Sequence, residues 1–230
     1  MEGLHEALLM DVFVKPEVIP HNVTHAFLAS IILIIVALVI RSSIRLVPKG
    51  VQNFVEVVTE AMLKLVEENI GHHWGKTLFP LICTIFMFIL LCNLMGLVPG
   101  FTAATANVNT NAAMAIPVFL ATHYYGIRVH GVKYIHHFLG PIRSIVALPL
   151  MILMFIVEFI GHFARPVTLT VRLFGNMIAK HILLIVLAML APLFVPITIL
   201  VLGLLVSVVQ ALVFALLSTL YLAGAVEEAH

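Results

Sequence analysis

Charge is scarce in this chain of 230 residues: 12 Lys and Arg and 11 Asp and Glu make up 10% of it, for a formal net charge of +1. So small a balance leaves no electrostatic footprint for nucleic acid, whose phosphates are met by clustered cations. Cysteine is confined to Cys83 and Cys92 in one apolar run. Nine positions apart on a helix, they point in opposite directions, which excludes a disulfide between them and makes them core residues. No glycine-rich nucleotide loop occurs, and no Ser/His/Asp set presents itself for hydrolysis. Internal repeats, low-complexity tracts and soluble domains are also missing. The first twenty-five residues lack the basic start of a secretory leader, carrying Glu2, Glu6, Asp11 and Glu17 against Lys15. They read as a short acidic tail on the outside.

What fills the chain is apolar. Hydrophobic residues make up 62% and mean hydropathy is +1.16, values that put most of the sequence in lipid. The expected fold is all-α: one polytopic membrane domain over residues 1–230, with about five spanning helices, one amphipathic surface helix and a long, steeply tilted C-terminal helical hairpin. Residues 1–25 form the tail, 26–143 the first span, surface helix and helical hairpin, and 144–230 the tilted hairpin.

Ala26 to Ile40, with Asn22 to His25 before it, is long enough to span. Arg41, Arg45 and Lys49 follow and mark that end as cytoplasmic, with the N-terminus outside. From Val51 to Asn69, Val51, Phe54, Val55, Val58, Met62 and Leu65 recur at helical spacing against Gln52, Glu56, Glu60, Lys64 and Glu67, which predicts a surface helix. Thr77 to Leu97 is the next span, with Pro80 in its first turn. An uncharged loop, Val98 to Thr110, precedes a return span, Asn111 to Ile127, interrupted by Pro117. Arg128 to Arg143 holds Arg128, Lys133, Arg143, His130, His136 and His137 without an acid, a second cytoplasmic loop.

The remainder admits two readings. Three short spans, near Ser144 to Phe163, Leu173 to Leu190 and Pro196 to Ala223, would put Arg165 and Arg172 in an outer loop against the charge rule. They would also leave only nine residues for a turn. One helix from about Ser144 to about Leu190, bent at Pro166, avoids both problems. At about 1.5 Å per residue its forty-seven residues run about 70 Å, so crossing a core of about 30 Å demands a tilt near 65° if straight. Ala191 to Pro196 turns the chain, Ile197 to Ala225 returns it, and Glu227 and Glu228 end it in the cytoplasm.

Polar residues on this hairpin are few and ordered. Glu158, His162, Arg165, Arg172, Asn176 and Lys180 project within roughly 40° of a common line on a helix, with Leu169 the apolar member. Opposite them the last helix offers Gly203, Ser207, Gln210, Ser218 and Tyr221; Ser207 and Ser218 read as residues that only stitch helices together. Gly161, Gly175 and Gly203 read as points of close helix approach. The twelve histidines give no metal or haem site: His72/His73 and His136/His137 are adjacent pairs in cytoplasmic segments, and His123, His162 and His181 are not expected to form two ligand pairs at matched depth. No cofactor is implied.

Carboxylate and imidazole exchange protons and amides hold water, but a guanidinium stays charged and relays nothing. The line therefore divides at Arg172 into two aqueous inlets, and an ion crosses only by riding on another protein, a carrier with a membrane carboxylate. A transporter moving a small anion past Arg172 is a second reading, although no inverted repeat is visible. A structural scaffold, a third, would not need cations in mid-membrane.

The stretches RPVTLTVRLFGNM, VVQALVF around Gln210, NLMGLVP, TANVNTN and the terminal EEAH resemble the a subunit of the F-type rotary ATP synthase, over essentially the full chain. The resemblance implies five spans, a surface helix and a long tilted hairpin against a ring of c subunits. It further implies a place in the bacterial inner membrane, contact with lipid and with a b subunit of the peripheral stalk, and no catalysis by the chain itself. It puts the essential arginine on Arg172 and half-channel residues on Asn176, Gln210 and Glu158, for protons or, in some members, sodium. Many members carry an acid just after the central motif or a titratable partner on the last helix; here Lys180, His181 and Gly203 stand there. His181 is then the expected proton-handling group of the outer inlet, with Lys180 beside it and His162 serving the other inlet.

Overall fold

The computed structural model describes residues 21–42, 44, 47–98, 101–131, 134, 148–190 and 195–226. Among them the secondary structure is helical: α1 (His21–Ser42), α2 (Val51–Ile70), α3 (His72–Met95), a short 3-10 turn (Ala104–Ala106), α4 (Val108–His130), α5 (Leu148–Leu190) and α6 (Val195–Val226). The acidic tail to residue 20, Arg45, Lys133, His136, His137, Arg143, Pro192, Glu227 and Glu228 lie outside the described residues.

Helix is what lipid demands, since it satisfies every backbone group within the segment. α1, α3, and stretches Ile152–Leu184 of α5 and Leu200–Val226 of α6 are long and apolar enough to cross a membrane. α4, 23 residues long, has the length but not the apolarity. It is sheltered by packing on α5 and α6. α1 buries little beyond His25 and Ala29, so most of its aliphatic surface is left outward.

Boundaries follow backbone punctuation more than polarity. Gly71 has φ +88°, a conformation glycine adopts freely, and its N–H bonds Glu67 O at 2.8 Å. One residue thus joins the surface helix to the next span. α3 consequently starts at His72 and not Thr77, because the break falls at Gly71 and Gly75 is accommodated inside the helix, and Pro80 lies inside α3 rather than in its first turn. α4 likewise starts at Val108, where Asn107 caps it by accepting from the Asn109 N–H at 2.8 Å. It runs through Pro117 without interruption to His130. α5 is continuous from Leu148 through Pro166 to Leu190, which rules out the three short spans.

The amphipathic helix α2 packs on α3 and α6 through Met62 and Val66. The core beneath joins Leu78, Ile82, Phe86 and Ile89 of α3 to Met114 and Val118 of α4, Leu169, Leu173 and Met177 of α5, and Phe214 and Leu222 of α6. The four-residue spacing of Leu169, Leu173 and Met177 is one helical face turned inward. It sets how the long helix is rotated.

At the C-terminus of α3 the chain folds back on itself: a Cβ on Gly96 would overlap the Ala103 side chain and stand 2.9 Å from its Cα. Gly96→Ala is therefore expected to lower stability by about 1–3 kcal/mol through overpacking. The check is the thermal midpoint of the chain in detergent; an unchanged midpoint would mean that residue 103 does not sit on α3.

Candidate functional site

The rotation of α5 divides its polar residues into two clusters with Arg172 between them. Near the start of the helix, Glu158 lies 3.3 Å from His162 Nε2 and 3.8 Å from Arg165 Nη2. Arg165 also stands 5.2 Å over the Tyr221 ring of α6, a cation–π contact. His162 is buried, and its ring meets His123 of α4 edge-on at 5.3 Å. α4 and α5 cross where these two lie level, an alignment between helices that spacing along one chain does not reveal; it makes one pair of rings, not two, among the described residues. Among the described residues no group of three His, Cys, Asp or Glu side chains could hold a metal. A void of about 10 Å³ adjoins His162, Arg165 and Tyr221, room for about one water.

Toward the other end of α5, Asn176 Nδ2 donates to Gln210 Oε1 at 2.8 Å and Lys180 Nζ to Ser207 Oγ at 3.4 Å. Both pairs join α5 to α6, as the facing polar lines anticipated. Asn176, Gln210 and Lys180 line an open cleft of about 510 Å³ whose other walls include Leu183, Leu202, Leu205, Val206 and Val209. Gly203 closes its floor; a Cβ there would fall 2.9 Å from Leu97 and 3.2 Å from the Lys180 stem.

Behind this cleft lies a polar seam that sequence reasoning missed. Asn93 of α3 donates to Ser207 O at 3.3 Å and accepts from Thr105 Oγ1 at 2.6 Å; Asn111 of α4 donates to Thr105 O at 2.8 Å. Asn93, Thr105, Asn111 and Ser207 are fully buried. Ser207 donates to Gly203 O at 2.7 Å and also touches Asn93 O at 3.4 Å, so it is more than a stitch between two helices. The available signal was an amide inside an apolar run, which in a membrane calls for a named partner.

Arg172 departs from the common line. It and Asn176 are exposed on the surface of the chain, whereas Leu169 and Leu173 are buried. A stripe 80° wide straddles the edge of the packed face, so its members part company there. Among the described residues Arg172 has no hydrogen bond or ion pair, and it is not part of the cleft lining. His181 is exposed as well and is not brought to Gln210. Among the described residues Gly161 and Gly175 are not points of close approach, since a Cβ at either would meet nothing within 4 Å.

The chemistry on offer is therefore a titratable cluster of carboxylate and imidazole, a wide amide-and-ammonium cleft, and an isolated guanidinium separating them. The family described as ATP synthase A chain matches residues 23–223. The chain is similar to ATP synthase subunit a of Trichlorobacter lovleyi, 47% identical over 208 residues that cover 90% of this chain and 88% of that protein. It resembles the proteins of the same name from Geotalea uraniireducens, 47% identical, and Geobacter sulfurreducens, 46% identical, over the same shares of each chain.

Asn93→Leu removes both bonds of the buried amide and is expected to cost about 1–3 kcal/mol. Ser207→Ala should cost less, about 0.6 kcal/mol, as hydroxyls between membrane helices do. Thermal unfolding of each variant in detergent measures the difference. A harmless Asn93→Leu would remove the seam from the account.

Proposed function

The chain belongs to the ATP synthase A chain family, and from that premise we propose that it is the stator subunit whose two offset inlets load and unload protons on the carboxylates of a c-subunit ring. It is a membrane-embedded, non-catalytic subunit of that complex. Proton flow through the inlets turns the ring and drives ATP synthesis.

The observation that carries this reading is Arg172. It stands near the middle of a 43-residue helix, faces outward, and has no counter-charge among the described residues. A bare cation in hydrocarbon costs about 2.5–3.5 kcal/mol on insertion scales, so its complement comes from another protein. A ring carboxylate supplies it: opposite Arg172 the ionised acid is favoured, and to either side the acid is protonated. Gly175, one turn from Arg172 and open on its Cβ side, lets a neighbouring helix approach.

The two clusters serve as the two inlets. Arg41, Lys49 and Arg128 mark the cytoplasmic side by the positive-inside rule, with the N-terminus outside and the C-terminus in the cytoplasm. Glu158 and His162, beside the C-terminal part of α4, then open to the cytoplasm. The cleft of Asn176, Lys180 and Gln210 opens outward, with exposed His181 at its rim exchanging protons with external water. α5, about 65 Å long, lies steeply across the bilayer so that both inlets reach one ring. The b subunit of the peripheral stalk and lipid headgroups are the other partners. An anion carrier would enclose its arginine in a cavity, and the exposure of Arg172 speaks against that.

In inverted vesicles carrying the whole complex, Arg172→Ala is expected to assemble and to lose ATP-driven proton pumping; normal pumping would refute its role. Glu158→Ala should slow pumping on the order of tenfold and Glu158→Asp should largely retain it. Equal rates for Ala and wild type would return Glu158 to structure. Pumping that tracks sodium rather than pH would reassign the coupled ion.

A further inference from the structure

His123 has been given no role so far. It is half-buried on α4, seven residues before His130 and so on the same face, about 10 Å away along the axis. Its Nδ1 lies 2.9 Å from Phe119 O, so in the neutral ring that nitrogen carries the hydrogen and Nε2 keeps the lone pair. The ring stands 5.3 Å from His162, 6.1 Å from Tyr134 and 4.3 Å from Phe119. The titratable and charged groups around it are Glu158, His162 and Arg165 on α5, Tyr134, Tyr221 of α6 behind Arg165, and His130 on its own helix.

We propose that His123 is a proton-carrying residue of the Glu158 inlet, passing protons between cytoplasmic water and His162, so that this inlet runs through α4 as well as along α5. The proposal rests on the reading of Glu158 and His162 as an inlet. Nε2 of His123 takes a proton from water to give an imidazolium and releases it to His162. The His162 ring, protonated in turn, gives the proton on Nε2 to the Glu158 carboxylate 3.3 Å away. Only N–H and O–H bonds form and break, and both rings end neutral.

Three features favour a carrier over a packing residue. The backbone bond of His123 occupies one nitrogen only. A phenyl ring would serve the aromatic cluster of Phe119, Phe163 and Tyr134 as well without that nitrogen. Tyr134, whose phenol is pushed up by burial and sits in the fields of Arg165, which lowers it, and Glu158, which raises it, stays protonated and adds no competing anion.

The test uses the whole complex in inverted vesicles, where ATP-driven pumping draws protons from the medium through the cytoplasmic inlet. His123→Phe keeps the ring packing. Its pumping is expected to fall about tenfold near pH 8, where free protons are scarce, and less than about twofold near pH 6, with no dependence on lumen pH. If His123→Phe fails to assemble, as judged by membrane-bound ATP hydrolysis, His123→Gln is measured in its place with the same expectation. A wild-type rate and pH profile, or a loss equal at every pH, overturns the proposal. Arg172→Ala in parallel keeps the two readings apart, because normal pumping there defeats the stator function whatever His123 does.

Discussion

A positive charge without a partner among the described residues, midway along an apolar helix, is the constraint on which the rest of the molecule depends. Arg172 cannot lose its proton and does not turn inward, because Leu169, Leu173 and Met177 occupy the packed face of α5. The core therefore decides where the charge points: burying those three side chains leaves Arg172 on the outer edge. A different rotation of α5 would bury the guanidinium against α4 and α6, where the described residues provide an acid only at Glu158, nearly four helical turns or about 21 Å away.

The hairpin partner leaves both polar clusters without an added charge. α6 meets α5 with an amide, a hydroxyl and a phenol ring, at Gln210, Ser207 and Tyr221, and with no charge. Neutral partners hold Asn176 and Lys180 in place without offering a counter-ion that could discharge Arg172 or trap a proton. Behind them the seam of Asn93, Thr105 and Asn111 ties α3, the 3-10 turn and α4 to α6. It braces the wall of the cleft with buried bonds, so the open side can stay wide while the closed side stays fixed.

Much of this was legible in the residues. α5 had to be one helix because nine residues cannot turn between spans and because two arginines forbid an outer loop. The pairing of its polar line with that of α6 followed from helical spacing. What escaped has physical reasons. His72 to Lys76 lay outside the expected span, yet the break falls at Gly71 and α3 takes Gly75 into its first turns. Pro117 was given more disruptive force than neighbours in a bundle allow. The meeting of His123 with His162 depends on how far α4 and α5 are slid past each other, which no single-helix pattern encodes. The exposure of Arg172 depends on the rotation of α5, and a stripe gives an angle but not the side on which the neighbours stand.

The two clusters differ in kind, and the difference bears on direction. The one near Glu158 is narrow, its void about 10 Å³, and built from groups that take and release protons. The one near Lys180 is about 510 Å³, and its polar lining is amide and ammonium. Gly203 fits this division: without a Cβ it lets the Lys180 stem lie against α6, so the ammonium reaches Ser207 rather than the middle of the cleft. The cation is drawn to the wall, which leaves the cleft open beside it without an acid on that part of α5.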